Sequence, residues 1–199
     1  LQNSTGGFDG RNVVHSLQQR LGIPTFINKD ACNLLWYEIE MHKWKGSGIT
    51  IGFYYGTGIG NSVYLGNGFL DGKHGVACDV GHIPFYLSDR YCTSGNRGRA
   101  ESHASATLLR DTCEALEGMA IPMATEINIF DPDRIVVGGG VMDMKDFPEK
   151  MFWDYVYEFT RKPFPGTDFA IVHASKEPGV GVAGSALYAF EQLRLKGKN

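Results

Sequence analysis

No apolar run in this chain approaches the length that crosses a bilayer, which excludes a helical membrane span. Basic residues are in no surplus either: 19 lysines and arginines stand against 22 aspartates and glutamates, for a net charge of −3. That balance gives no basic face of the kind nucleic-acid binding leans on. Cysteine is scarce, four residues without paired spacing, and the expected compartment is a reducing cytoplasm. Internal repeats, low-complexity segments and long linkers are also missing. The first residue is Leu1 rather than methionine, in a polar, glycine-rich opening with no strand before it. The expectation is an incomplete product whose N-terminal part is not represented.

What is present reads as globular. Of 199 residues, 43% are hydrophobic and 21% charged, enough for one domain, or a domain and a piece of another. Val13, Val14, Leu17 and Leu21 fall at helical spacing, with Asp9 as the candidate cap and Gly22 as the stop. Residues 23–27 read as a strand with Pro24 at its start, and a helix follows from 31 to about 43. Residues 49–55 and 62–65 read as strands joined by a glycine turn, and Phe69 and Leu70 begin another. Residues 100–110 and 111–130 are helical in pattern, with Pro122 predicting a kink in the second. A buried strand over 134–137 precedes three glycines. Then come a helix over 147–159, a strand over 169–174, a loop over 177–182 and a closing helix over 183–195. Strands alternating with helices predict an α/β fold.

Two places carry chemistry. Gly56, Thr57, Gly58, Ile59 and Gly60 follow a strand directly. A turn this poor in side chains lets backbone N–H groups approach phosphate oxygens; alone, the string reads first as a tight hairpin turn. Asp30 lies where a predicted strand gives way to a helix, and ligands of open α/β sheets bind beyond the carboxyl ends of strands. Taken alone, that aspartate is first a helix cap, worth about 1 kcal/mol.

Further motifs change the weighting. GVACDVGHIP (75–84) followed by CTSGNRGRAE (92–101) resembles the signature of the ROK family of sugar kinases and regulators, a GExGH motif and a CxCGxxGCxE loop. NIFDPDRIVVGGGVMDMKDFP (128–148) resembles that family's nucleotide-binding segment. The likeness runs from about Phe26 to about Leu187. It implies an actin-like ATPase fold, ribonuclease H-like in each half and mostly the C-terminal domain here. Residues 1–29 would be a remnant of the N-terminal domain, 30–178 the C-terminal domain with both sites, and 179–199 a closing helix.

The resemblance also assigns roles. Asp30 falls at the catalytic aspartate of the family's NDAN motif, with Lys29 in place of the preceding asparagine. An alcohol is too weak an acid to ionise at neutral pH, so phosphoryl transfer needs a carboxylate to accept its proton. Lys29, Asp79, His82 and Glu101 are the implied sugar contacts; Asp79 stands where the family has glutamate, which moves the acceptor by roughly 1.5 Å. Gly56, Thr57, Gly58 and Gly60 would face ATP phosphates, and Gly138, Gly139 and Gly140 would let backbone lie against the nucleotide. ATP implies Mg²⁺. The family's structural zinc is held by one histidine and three cysteines; here only His82 and Cys92 remain, with Ser94 and Arg99 at the other places and Cys78 as a substitute. A standard zinc site is not expected. ROK proteins also carry more sequence between the loop glutamate and the 111–130 helix than this chain does.

The implied activity is transfer of the ATP γ-phosphate to the 6-hydroxyl of a hexose. Lys29 and the GGGVMDM–FP segment point to D-allose. The family's DxGGT phosphate loop does not occur here. Two other readings stay open: a sugar-sensing regulator with a helix-turn-helix ahead of this part, and a kinase for glucose or N-acetylmannosamine. The expected partners are a small sugar and ATP, with no nucleic acid in this part and no membrane. A homodimer is the family's common assembly, and the aromatic-rich stretch 151–159 is a candidate surface for it.

Overall fold

The computed structural model describes residues 12–84, 98, 100 and 112–197. Helix α1 (Val13–Leu21) is capped by Asn12, whose side chain accepts from the His15 N–H, and ends on Gly22 at φ 66°. Asp9, the expected cap, lies outside the described residues. Residues 24–29 are not a strand but an irregular run into helix α2 (Asp30–Met41). Composition favoured a strand there, but a strand needs a neighbour to pair with, and none of the described strands lies beside it. Ile23 and Ile27 are exposed accordingly.

Four strands form one sheet in the order β2-β1-β3-β4. β1 (Thr50–Tyr55) and β2 (Ile59–Tyr64) are antiparallel, with Tyr55 opposite Ile59. The turn is therefore only 56–58, and Ile59 and Gly60 already belong to β2. β3 (Arg134–Gly138) runs parallel to β1, and β4 (Ala170–His173) parallel to β3. Phe69 makes only an isolated bridge to Tyr64 rather than a further strand.

Parallel neighbours need crossovers, and α3 (Thr112–Phe130) and α4 (Glu149–Phe159) supply them. Period-two alternation decides which side chains each face receives. Ile51, Phe53 and Tyr55 of β1 and Ile135 and Val137 of β3 join Leu116, Met119, Met123, Phe152 and Val156 in the larger core. On the opposite face Val136 and Tyr64 join Leu35, Trp36 and Ile39 of α2, flanked by Leu187 and Tyr188. Helix α3 continues through Pro122, and the Tyr55 hydroxyl donates to the Met119 carbonyl at 2.9 Å, fixing this helix to the end of β1.

The closing helix α5 (Val180–Lys196) starts three residues earlier than the pattern predicts, behind Gly179 at φ 91°. Its small residues explain the early start, because Gly181 and Gly184 let it lie close on α2. A Cβ on Gly184 would stand 2.0 Å from the Asn33 carbonyl oxygen and 2.9 Å from its carbon. Gly184→Ala must push backbone rather than a flexible side chain, and is expected to cost about 1–3 kcal/mol. A lowered urea midpoint at unchanged slope checks this; an unshifted midpoint refutes it.

Candidate active site

β1 and β3 end side by side, and a cleft of about 350 Å³ opens at their carboxyl ends. Asp30 and Leu34 line it from α2, Gly56, Thr57, Gly58 and Gly60 from the hairpin, and Gly139 from beyond β3. Within the turn the Gly56 N–H donates to the Gly58 carbonyl at 3.0 Å. The Thr57 and Gly58 N–H groups take no partner among the described residues.

The glycines divide by what a side chain would meet. Gly139 has φ 96°, and a Cβ there would stand 2.3 Å from the Tyr55 carbonyl oxygen. Val141 donates its N–H to that same oxygen at 3.0 Å, so the chain crosses the end of β1 in van der Waals contact. A Cβ on Gly138 would stand 2.7 Å from that of Ala174. The fold itself demands glycine at these two. Around Gly56 and Gly140 a Cβ would meet nothing within 4 Å, and neither has positive φ. Nothing among the described residues calls for glycine there; what it secures at Gly56 is a bare cleft wall.

Asp30 is the first residue of α2 rather than its cap, which is Lys29. The neighbourhood is tightly pinned. Asn28 Oδ1 accepts the Lys29 N–H at 2.9 Å, Asn28 Nδ2 donates to Asn33 Oδ1 at 3.2 Å, and Asn33 Nδ2 donates to Ser185 Oγ at 2.9 Å. Ser62 Oγ donates to the Ala31 carbonyl at 3.1 Å. The Asp30 carboxylate accepts the Ala31 N–H at 2.8 Å, in the first turn where the helix dipole favours negative charge. It is exposed and borders a second opening of about 460 Å³ with Asn28, Asn33 and Ser185. A carboxylate so placed is oriented and open to a ligand's hydroxyl.

The implied sugar contacts are arranged differently. Asp79 and His82 face each other, with His82 Nδ1 3.1 Å from Asp79 Oδ1 across the short 3-10 turn Val80–His82. Neither lines the cleft that Asp30 shares with the glycine turn. The Lys29 ammonium turns inward and donates to the carbonyls of Ala77 and, at 3.4 Å, Asn61. Glu101 and Cys92 lie outside the described residues, as does the connection ahead of α3. Among the described residues no three His, Cys, Asp or Glu side chains gather closely enough to hold a metal. Burial pushes the Cys78 thiol up to about 11, away from the thiolate a metal takes.

Comparison with known proteins decides the family. The ROK family model matches residues 2–119 and 112–192. This chain belongs to the ROK family. It is 25% identical over 180 residues to a glucokinase from Streptomyces coelicolor, an alignment taking in 67% of this chain and 57% of that protein. The chain thus spans a little over half the length of that relative. It is 24% identical over 172 residues to a putative xylose repressor from a Caldicellulosiruptor species, covering 65% of this chain and 43% of the repressor. Its fold superposes on that of a Streptomyces griseus ROK glucokinase in complex with glucose and AMPPNP, with a TM-score of 0.72, 20% identity and coverage of 89% and 72%. The actin-like ATPase fold implied by the motifs is the one observed.

In this ROK chain a buried polar node that the motifs do not mark joins β2 to α3. Asn61 Nδ2 donates to Glu126 Oε2 at 2.8 Å and to the Gly52 carbonyl at 3.1 Å, while Asn61 Oδ1 has no partner among the described residues. Burial pushes the Glu126 carboxyl up to about 7, against the opposing pull of Asn61 and Lys29. The visible signal in the sequence is the one carboxylate in the largely apolar run 118–130 of α3. A carboxyl raised in the folded state binds a proton the unfolded chain has released, so stability falls as pH rises from about 4.5 to about 7 and is level above. Glu126→Gln should remove up to about 3 kcal/mol of that pH dependence. Urea unfolding of both proteins at the two ends of the window tests it; parallel curves refute it.

Proposed function

We propose that this chain carries the phosphoryl-transfer site of an ATP-dependent hexose kinase, with D-allose as the acceptor. The observation that supports it is the convergence of Asp30, the 56–58 turn and Gly139 on one cleft. Asp30 accepts the proton of the sugar's 6-hydroxyl as its oxygen bonds to the γ-phosphorus. The bond from that phosphorus to the β,γ-bridging oxygen breaks, giving ADP and a hexose 6-phosphate. The N–H groups of Thr57 and Gly58, without a partner among the described residues, supply donors for phosphate oxygens, and the bare wall at Gly56 leaves room for them. Mg²⁺ enters with the triphosphate as its charge partner. Lys29 and the 138–148 segment favour D-allose over glucose as the acceptor. The compartment that goes with ATP and free thiols is the cytoplasm.

A second reading, a sugar-sensing regulator, is supported by the match to the xylose repressor. It keeps sugar binding and drops turnover.

ADP release by the full-length protein over D-allose, D-glucose and N-acetylmannosamine tests the proposal. Turnover should be greatest with D-allose. Asp30→Asn should lower kcat by about a thousandfold or more with sugar affinity retained. Unchanged turnover in Asp30→Asn removes the base, and sugar binding without turnover in wild type supports the regulator.

The glycines give an independent check. Gly56→Ala should raise KM for ATP about tenfold while leaving Tm within a degree or so, whereas Gly139→Ala should cost about 1–3 kcal/mol of stability. Equal loss of stability in both would mean that Gly56 serves the fold alone.

A further inference from the structure

We infer that Lys29 is a positioning residue, whose ammonium sets where the Asp79–His82 pair stands relative to the Asp30 carboxylate. What that pair touches rests on the kinase reading; the tether rests on geometry alone.

Lysine is an unfavourable choice for its local place. It is the N-cap of α2, makes no side-chain bond to the helix, and brings positive charge to the positive end of the dipole. The compensation lies elsewhere. Its half-buried ammonium donates to the Ala77 carbonyl, 48 residues along the chain, and to that of Asn61 in β2. Charge-assisted bonds to carbonyls are stronger than neutral ones.

Ala77 is the point at which the loop after Leu70 closes. Its N–H donates to the Asp71 carbonyl at 3.1 Å. Gly72, at φ 70°, leaves room for it, since a Cβ there would stand 2.9 Å from the Ala77 Cβ. The next residue, Cys78, takes φ 60°, a left-handed conformation rare for a side chain of its kind. Such a residue persists only where its neighbours are fixed. Asp79 then begins the 3-10 turn, accepting the His82 N–H on its carbonyl at 3.0 Å.

Two adjacent residues therefore serve two different places: one the loop, the other the cleft. The side chain of Lys29 holds the loop that ends in Asp79 and His82, and the side chain of Asp30 faces the cleft. One peptide unit fixes the spacing between them.

Hydrogen–deuterium exchange and steady-state kinetics of the full chain test this with Lys29→Met and Lys29→Arg. In Lys29→Met the amides of 72–79 should exchange about tenfold or more faster, with α3 and α4 unchanged. KM for the hexose should rise about tenfold and kcat stay within about threefold. Lys29→Arg, which keeps a charged donor, should restore both. Wild-type exchange in Lys29→Met overturns the tether, and a raised KM alongside it makes Lys29 a direct sugar contact. Should Lys29→Met fail to fold, Lys29→Gln is judged by the same exchange criterion. If wild type phosphorylates no hexose, the kinase reading fails while the exchange comparison still decides the tether.

Discussion

The crossing of Gly139 over the end of β1 is the constraint on which the rest depends. A backbone atom of one segment lies where another residue's Cβ would be, and Val141 bonds the same carbonyl. That contact holds the exits of β1 and β3 together, and the cleft exists because both chains leave the sheet at this point. Tyr55 serves the contact twice. Its carbonyl meets the Gly139 segment, and its hydroxyl reaches the opposite way to α3. The fixed sheet end gives the 56–58 turn a rigid base, as a preorganised donor site requires.

Around that base, one packing layer lines the cleft and the other supports the sheet behind it. The α2–α5 layer carries Asp30 and keeps it in place through Asn28, Asn33 and Ser185. The α3–α4 layer lies beneath the hairpin and contributes Glu126 to the node with Asn61. Glycine serves both purposes. At 138, 139 and 184 it permits close packing, and at 56 it leaves space unfilled.

Much of this was legible in the residues. β3 is a short buried run closed by three glycines, and its pattern admits little else. Asp30 and the glycine turn were marked by local motifs, which a one-dimensional reading can find. The misread strand over 23–27 failed because propensity cannot see whether a partner exists. The early start of α5 was hidden because glycines at 179 and 181 read as a loop until α2 is there to pack against. Lys29 was read outward, toward ligand, since the carbonyl that captures it lies 48 residues away. The link from Asn61 to Glu126 spans 65 residues, and locally only a carboxylate in an apolar run hints at it. The different duties of the glycines are likewise properties of neighbours in space.

The carboxyl of Glu126 has one more consequence. With its proton held to about pH 7 by burial, this interior carboxyl has two forms near neutrality, one neutral and one charged. Small changes in acidity exchange one for the other without unfolding anything. The electric field felt at the N-terminal end of α2 is thus a weighted average, set by the surrounding solution as much as by the chain.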